Sequence, residues 1–137
     1  MSWLVDTNIL SELRKGDRAN AGVRSWFEAA REEDLFTSVL VLGEIRRGIE
    51  SIRRRDPTAA VALEQWLLRV TTTFSDRILE VDARVADRWG FLNVPDPMPT
   101  IDGLLAATAL VHDLVLVTRN ARDVARTGVR VLDPIGA

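Results

Sequence analysis

The chain has 137 residues, 47% of them apolar and 28% charged, with a formal net charge of −2; these are the proportions of a soluble globular protein, and the length predicts a single domain, residues 1–137, with a real core. It has no cysteine and one histidine, which excludes disulfides, thiolate nucleophiles and cysteine-based zinc sites. No apolar run approaches the roughly 20 residues of a membrane span and no signal peptide opens the chain, so a cytoplasmic protein without a membrane partner is expected.

The predicted elements alternate. Ser2 to Val5 reads as a buried strand that stops at the polar turn Asp6–Thr7–Asn8. Asn8 to Arg14 is a short helix, and Ala19 to Ala30 an amphipathic one with Val23, Trp26, Phe27 and Ala30 on one face. Leu35 to Thr37 is a short strand. Ser38 then caps a helix running through Arg53, with Leu42, Ile45, Ile49 and Ile52 on its buried side. Asp56–Pro57 ends that helix and starts the next, which carries Val61, Leu63, Trp66, Leu67 and Val70 to about Thr72. Ile78 to Val81 is a strand and Asp82 to about Asn93 a helix. Pro95–Asp96–Pro97–Met98–Pro99 is the one stiff loop. Thr100 caps an almost wholly apolar helix to about His112, and strands follow at Leu114 to Val117 and Val129 to Leu132. Such alternation implies a parallel sheet with helices on both faces.

Four acidic residues recur where such a sheet would gather its site. Asp6 follows the first strand, and ligands of open α/β sheets bind beyond the carboxyl ends of strands. Asp102 is the only charge between Ile101 and Val111 in a helix of Gly, Leu, Ala, Thr and Val. Buried carboxylates are paired or bind metal, although a first-turn aspartate also favours the helix dipole. Glu44 lies between Gly43 and Gly48, glycines that suggest close approach by another group; its plainer reading is a solvated pair with Arg47. Asp123 follows Thr118–Arg119–Asn120, where aspartates often cap backbone. Asp6 has the same plain alternative. Clustered, the four would raise one another's pKa unless neutralised, and Mg²⁺ or Mn²⁺ takes such oxygen ligands.

Other chemistries fit less well. Lys15, the only lysine, is not in a phosphate-binding glycine loop. Asn8 stands where an Asp-x-Asp phosphohydrolase needs its second acid. His112 sits at a helix end, suited to capping carbonyls. Trp3, Trp26, Trp66 and Trp89 fall on apolar faces and read as core or interface.

Val5–Asp6–Thr7–Asn8, the helix around Glu44, the run from Ile101 to Leu110, and Leu116–Val117–Thr118–Arg119–Asn120 with Asp123 resemble a PIN domain. The closest likeness is to VapC-type toxins, the ribonuclease halves of bacterial toxin–antitoxin pairs, and it runs from Leu4 to Pro134. Asp113 departs from the pattern, standing where a helix-ending glycine is common; Val124 replaces a frequent aromatic. The resemblance implies a three-layer α/β/α fold with a parallel sheet of four or five strands. It implies a metal-dependent endoribonuclease with Asp6, Glu44, Asp102 and Asp123 around Mg²⁺, or Mn²⁺ in its place. Thr7, Asn8, Thr118 and Asn120 would orient ligands or water. The implied partners are RNA, an antitoxin that blocks the site, and a second copy in a homodimer. Water as nucleophile would leave 5′-phosphate and 3′-hydroxyl ends.

Arg46, Arg47, Arg53 and Arg54, with Arg55, are candidates for tracking the RNA backbone, against a solvated face paired with Glu50 and Asp56. Trp66 and Leu67 are candidates for a dimer or antitoxin groove. A catalytically silent RNA- or protein-binding module is the alternative reading. A DNA nuclease of related fold is a third, disfavoured because 137 residues leave little room for DNA-engaging additions.

Overall fold

The computed structural model describes residues 1–136. Short β-branched and leucine-rich runs form five strands: β1 (Trp3–Val5), β2 (Leu35–Ser38), β3 (Ile78–Leu79), β4 (Val115–Val117) and β5 (Val131–Leu132). All pair in parallel, in the order β3-β2-β1-β4-β5. β1 is central, with Leu4 opposite Phe36 on one side and Leu116 on the other. Leu4, Val5, Leu116 and Val117 are essentially inaccessible, as expected of strands covered on both faces.

The helices are α1 (Thr7–Leu13), α2 (Ala21–Ala29), α3 (Val39–Arg53), α4 (Pro57–Phe74), α5 (Ala83–Leu92), α6 (Thr100–Val111) and the short α7 (Ala121–Val124). With the sheet they make three α/β/α layers. Several of their starts lie where the side chains demand. Asn20, Ser38, Asp56 and Asp82 each accept a hydrogen bond from a first-turn amide, and Pro57 takes the first position of α4. Asp113 adopts a left-handed backbone (φ +54°), the conformation a glycine would otherwise supply after α6.

Some expectations need correction. Thr100 does not cap α6; it is the first helical residue, and Pro99 stands at the cap position without a side-chain hydrogen bond. The entry to α6 is organised instead by Asn93, whose Oδ1 accepts from the Met98 amide. The predicted strands Ile78–Val81 and Val129–Leu132 are shorter in the fold, spanning Ile78–Leu79 and Val131–Leu132. Gly43 and Gly48 meet no close neighbour, since a Cβ at either has nothing within 4 Å. The tight glycine is Gly103, where a Cβ would lie 3.2 Å from Trp89 Cδ1.

Candidate active site at the carboxyl edge of the sheet

The chain leaves β1 at Val5 and turns at once into α1. Asp6 is at the turn, 4% exposed, with its amide still bonded to Val117 O of β4. β4 leaves the sheet beside it at Thr118. The chain passes from β1 to one side of the sheet and returns on the other side at β4, so the two residues flank a switch point, where open α/β sheets bind ligands.

Thr118, fully buried, ties this corner together. Its hydroxyl donates to Asp6 Oδ2 at 2.7 Å and accepts from Asn8 Nδ2 at 3.3 Å and from the Asn120 amide at 3.0 Å. The other carboxylate oxygen of Asp6 accepts from the Thr7 amide at 2.6 Å, so this residue is also the cap of α1. Asn8 Oδ1 accepts from the Arg119 amide, which fixes the Thr118–Asn120 turn against α1. On the neighbouring helix Glu44 is half-buried and accepts from Thr7 Oγ1 at 2.7 Å; its expected pair with Arg47 does not form. Asp102 is half-buried in the first turn of α6, with Asn120 beside it. Asp123 is exposed in the first turn of α7.

Thus α1, α3, α6 and α7 bring the four acids to one edge. Burial pushes the Asp6 carboxyl above the ordinary aspartate value, and the charges of Glu44 and Asp102 add to this, while the Thr118 and Thr7 bonds oppose it. Burial likewise raises Asp102, followed by the charges of Asp123 and Glu44. Among the described residues no three acidic side chains converge as a ready-made metal cage. The donor set nevertheless fits a hard cation: oxygen ligands only, charges in mutual reach, and one carboxylate held rigid while the half-buried and exposed ones can rotate toward it. Thr7, Asn8, Thr118 and Asn120 each bond to one of the acids or to a neighbour that does.

The expected basic patch divides. Arg46 and Arg53 are paired with Glu50 and Glu64, bridging α3 to α4; the compensating acid is Glu64, whereas Asp56 caps α4. Arg47 and Arg54 form no ion pair among the described residues, and Arg47 borders a cleft with Gly43, Glu44 and Ile101. A second cleft on the other side of Glu44 is lined by Thr7, Ser11, Arg14, Gly48 and Trp66. Arg14 is a residue the sequence reading passed over, although Thr7, Ser11 and Arg14 share one face of α1 by their spacing.

Residues 3–129 match the family described as PIN domain. Ribonuclease VapC14 of Mycobacterium tuberculosis is 32% identical over 81 residues, which span 59% of this chain and 71% of that protein. The crystal structure of FitAcB from Neisseria gonorrhoeae superimposes with a TM-score of 0.87 at 27% identity, covering 96% of this chain and 97% of that one. A toxin–antitoxin complex from Klebsiella pneumoniae gives 0.73 at 28% identity, covering 97% and 98%.

Proposed function

The chain belongs to the PIN-domain family, and from that premise we propose that it is an endoribonuclease, a hydrolase of RNA phosphodiester bonds that serves as the toxin of a toxin–antitoxin pair. The observation that carries this reading is the buried Thr118–Asp6–Asn8 knot at the sheet edge, with Glu44, Asp102 and Asp123 in electrostatic reach. Residues 1–137 act as one domain. Asp6, Asp102, Glu44 and Asp123 are the proposed ligands of a divalent cation, Mg²⁺ or Mn²⁺. Bound there, such a cation polarises a phosphoryl oxygen and acidifies water.

The chain's own groups do the positioning. Thr118 and Thr7 hold the Asp6 carboxylate in one orientation through opposite oxygens. Thr7 Oγ1 also anchors one oxygen of Glu44, leaving the other free. At Asp6 the Thr118 and Thr7 bonds favour the charged carboxylate that a cation requires, against the burial that disfavours it. Arg47, Arg54 and Arg55, which form no ion pair among the described residues, are the arginines of the original patch available to RNA phosphates; Arg46 and Arg53 would first have to leave Glu50 and Glu64. An antitoxin is the proposed protein partner, by likeness to the Klebsiella pneumoniae complex. A second copy is the proposed companion for the apolar surface at Phe91 and Val94, which are 81% and 74% exposed.

End-group analysis of the cut RNA tests the chemistry. Attack by water at phosphorus with departure of the 3′-oxygen, which takes up a proton, leaves 5′-phosphate and 3′-hydroxyl termini. Products carrying 2′,3′-cyclic phosphates would show that the substrate's own hydroxyl is the nucleophile and would remove this mechanism.

A further inference from the structure

The geometry points to a specificity site: the cleft between α1, α3 and α4 receives one nucleobase of the RNA strand beside the bond that is cut, and thereby selects where cleavage falls. This rests on the ribonuclease reading and adds to it a place for the base. The cleft is about 250 Å³ in volume and is bordered by the Thr7–Glu44 hydrogen bond, so it begins at Glu44, one of the four acids. Gly48 lies one turn beyond Glu44 on α3, a step of about 5.4 Å along the helix. A phosphate seated at the acids therefore brings its own nucleotide to the mouth of this cleft.

The lining suits a flat, hydrogen-bonding π system. Trp66 of α4 supplies an aromatic wall, and the aliphatic side chains of α3 and α4 supply an apolar floor. Ser11 and Arg14 offer donors on the facing side. The Arg14 guanidinium lies over the Trp66 ring, 5.6 Å from its centroid, and forms no ion pair with a carboxylate among the described residues. Arg46 and Arg53 show the opposite arrangement, each compensated by Glu50 and Glu64. A stacked, uncompensated arginine beside a tryptophan is the combination that holds a base by its face and the strand by its charge.

Gly48 provides the independent observation. A glycine inside a helix lowers its stability, and here packing does not require one, because a Cβ would meet nothing within 4 Å. What the missing side chain preserves is the open volume of the cleft. A nucleobase is the occupant of the right chemistry and depth for a space that starts at the reacting phosphate.

The test is cleavage of an RNA library randomised around the cut, with the unmodified protein, Gly48→Leu and Trp66→Ala compared in the same divalent cation. Melting curves establish that each variant is folded. The expected result is a base preference next to the cut that changes about ten-fold or more in the variants, with Gly48→Leu narrowing the accepted bases to smaller ones. An unchanged base preference in folded variants overturns the inference while leaving the ribonuclease standing. Loss of antitoxin affinity with base preference intact assigns the cleft to a protein segment and likewise overturns it. No cutting by the unmodified protein removes the ribonuclease reading, and this inference with it.

Discussion

Thr118 uses the whole hydrogen-bonding capacity of a hydroxyl, one donor and two acceptor positions, on Asp6, Asn8 and Asn120. Thr118→Val keeps the shape but strands those three groups at a buried corner. We expect a loss of about 1–3 kcal/mol in urea unfolding together with reduced cleavage, and recovery of both in Thr118→Ser. An unaltered unfolding midpoint in Thr118→Val would show that the knot does not hold the corner. Asp6 was legible in the sequence because it ends an apolar strand run, and strand ends in a parallel sheet converge; Thr118 was legible only through the resemblance to a PIN domain. Arg14 was not, because its environment depends on how α1 meets α4, two elements separated by some forty residues of chain. The glycines misled for a related reason: sequence shows that a side chain is missing, not whether the space is filled. Gly43 and Gly48 border open clefts, and Gly103 is the one in contact.

At the scale of elements, the placement of Asp102 depends on how α5 and α6 pack. Trp89 lies against Gly103, one residue past Asp102, and cannot easily retreat, because Asn93 Nδ2 donates to Trp89 O while its Oδ1 accepts from the Met98 amide. Arg126 fastens the same loop by donating to the carbonyls of Leu92 and Asp96. Gly103→Ala should therefore destabilise by about 1 kcal/mol net, overpacking outweighing the gain in helix propensity. Gly43→Ala should do the opposite and stabilise by about 0.5–1 kcal/mol, because its Cβ meets nothing. Thermal or denaturant unfolding of the pair decides it; equal shifts would mean that the α5–α6 contact imposes no constraint. Element positions were mostly legible because polar caps stand at the predicted starts. The error at Thr100 arose because the cap preference of a threonine is local, whereas this helix entry is set by Asn93, seven residues upstream.

For the whole molecule, burying anions at one edge makes stability depend on pH and on cations. Asp6 and Asp102 have carboxyls raised above the ordinary value in the folded protein. A folded state that holds protons more tightly than the unfolded one is stabilised below the ordinary aspartate range, about pH 4, and loses that advantage as pH rises. Glu50 and Glu64, held low by their arginines, act in the other direction, so the readout is a difference between variants. Without divalent cation, Asp102→Asn should melt above the unmodified protein at neutral pH by about 2–4 °C, and the gap should close toward pH 4. Mg²⁺ or Mn²⁺ should raise the melting temperature of the unmodified protein, by an amount equivalent to about 2.7 kcal/mol at one hundred times its Kd, and should do little for Asp102→Asn. A gap that widens on acidification would contradict the clustered-anion account. The strand order was legible only as far as alternation implies a parallel sheet; that β4 sits beside β1, and so brings Thr118 to Asp6, is a property of long-range pairing that no local pattern carries. The central claim is best tested by incubating labelled structured RNAs, tRNAs included, with antitoxin-free protein in Mg²⁺ or Mn²⁺, beside an EDTA control and Asp6→Asn. Discrete cuts that require the cation and vanish in Asp6→Asn are the predicted result. Cuts that persist in the mutant, or intact RNA despite a bound cation, would contradict the site, and the second outcome would favour a catalytically silent binding module.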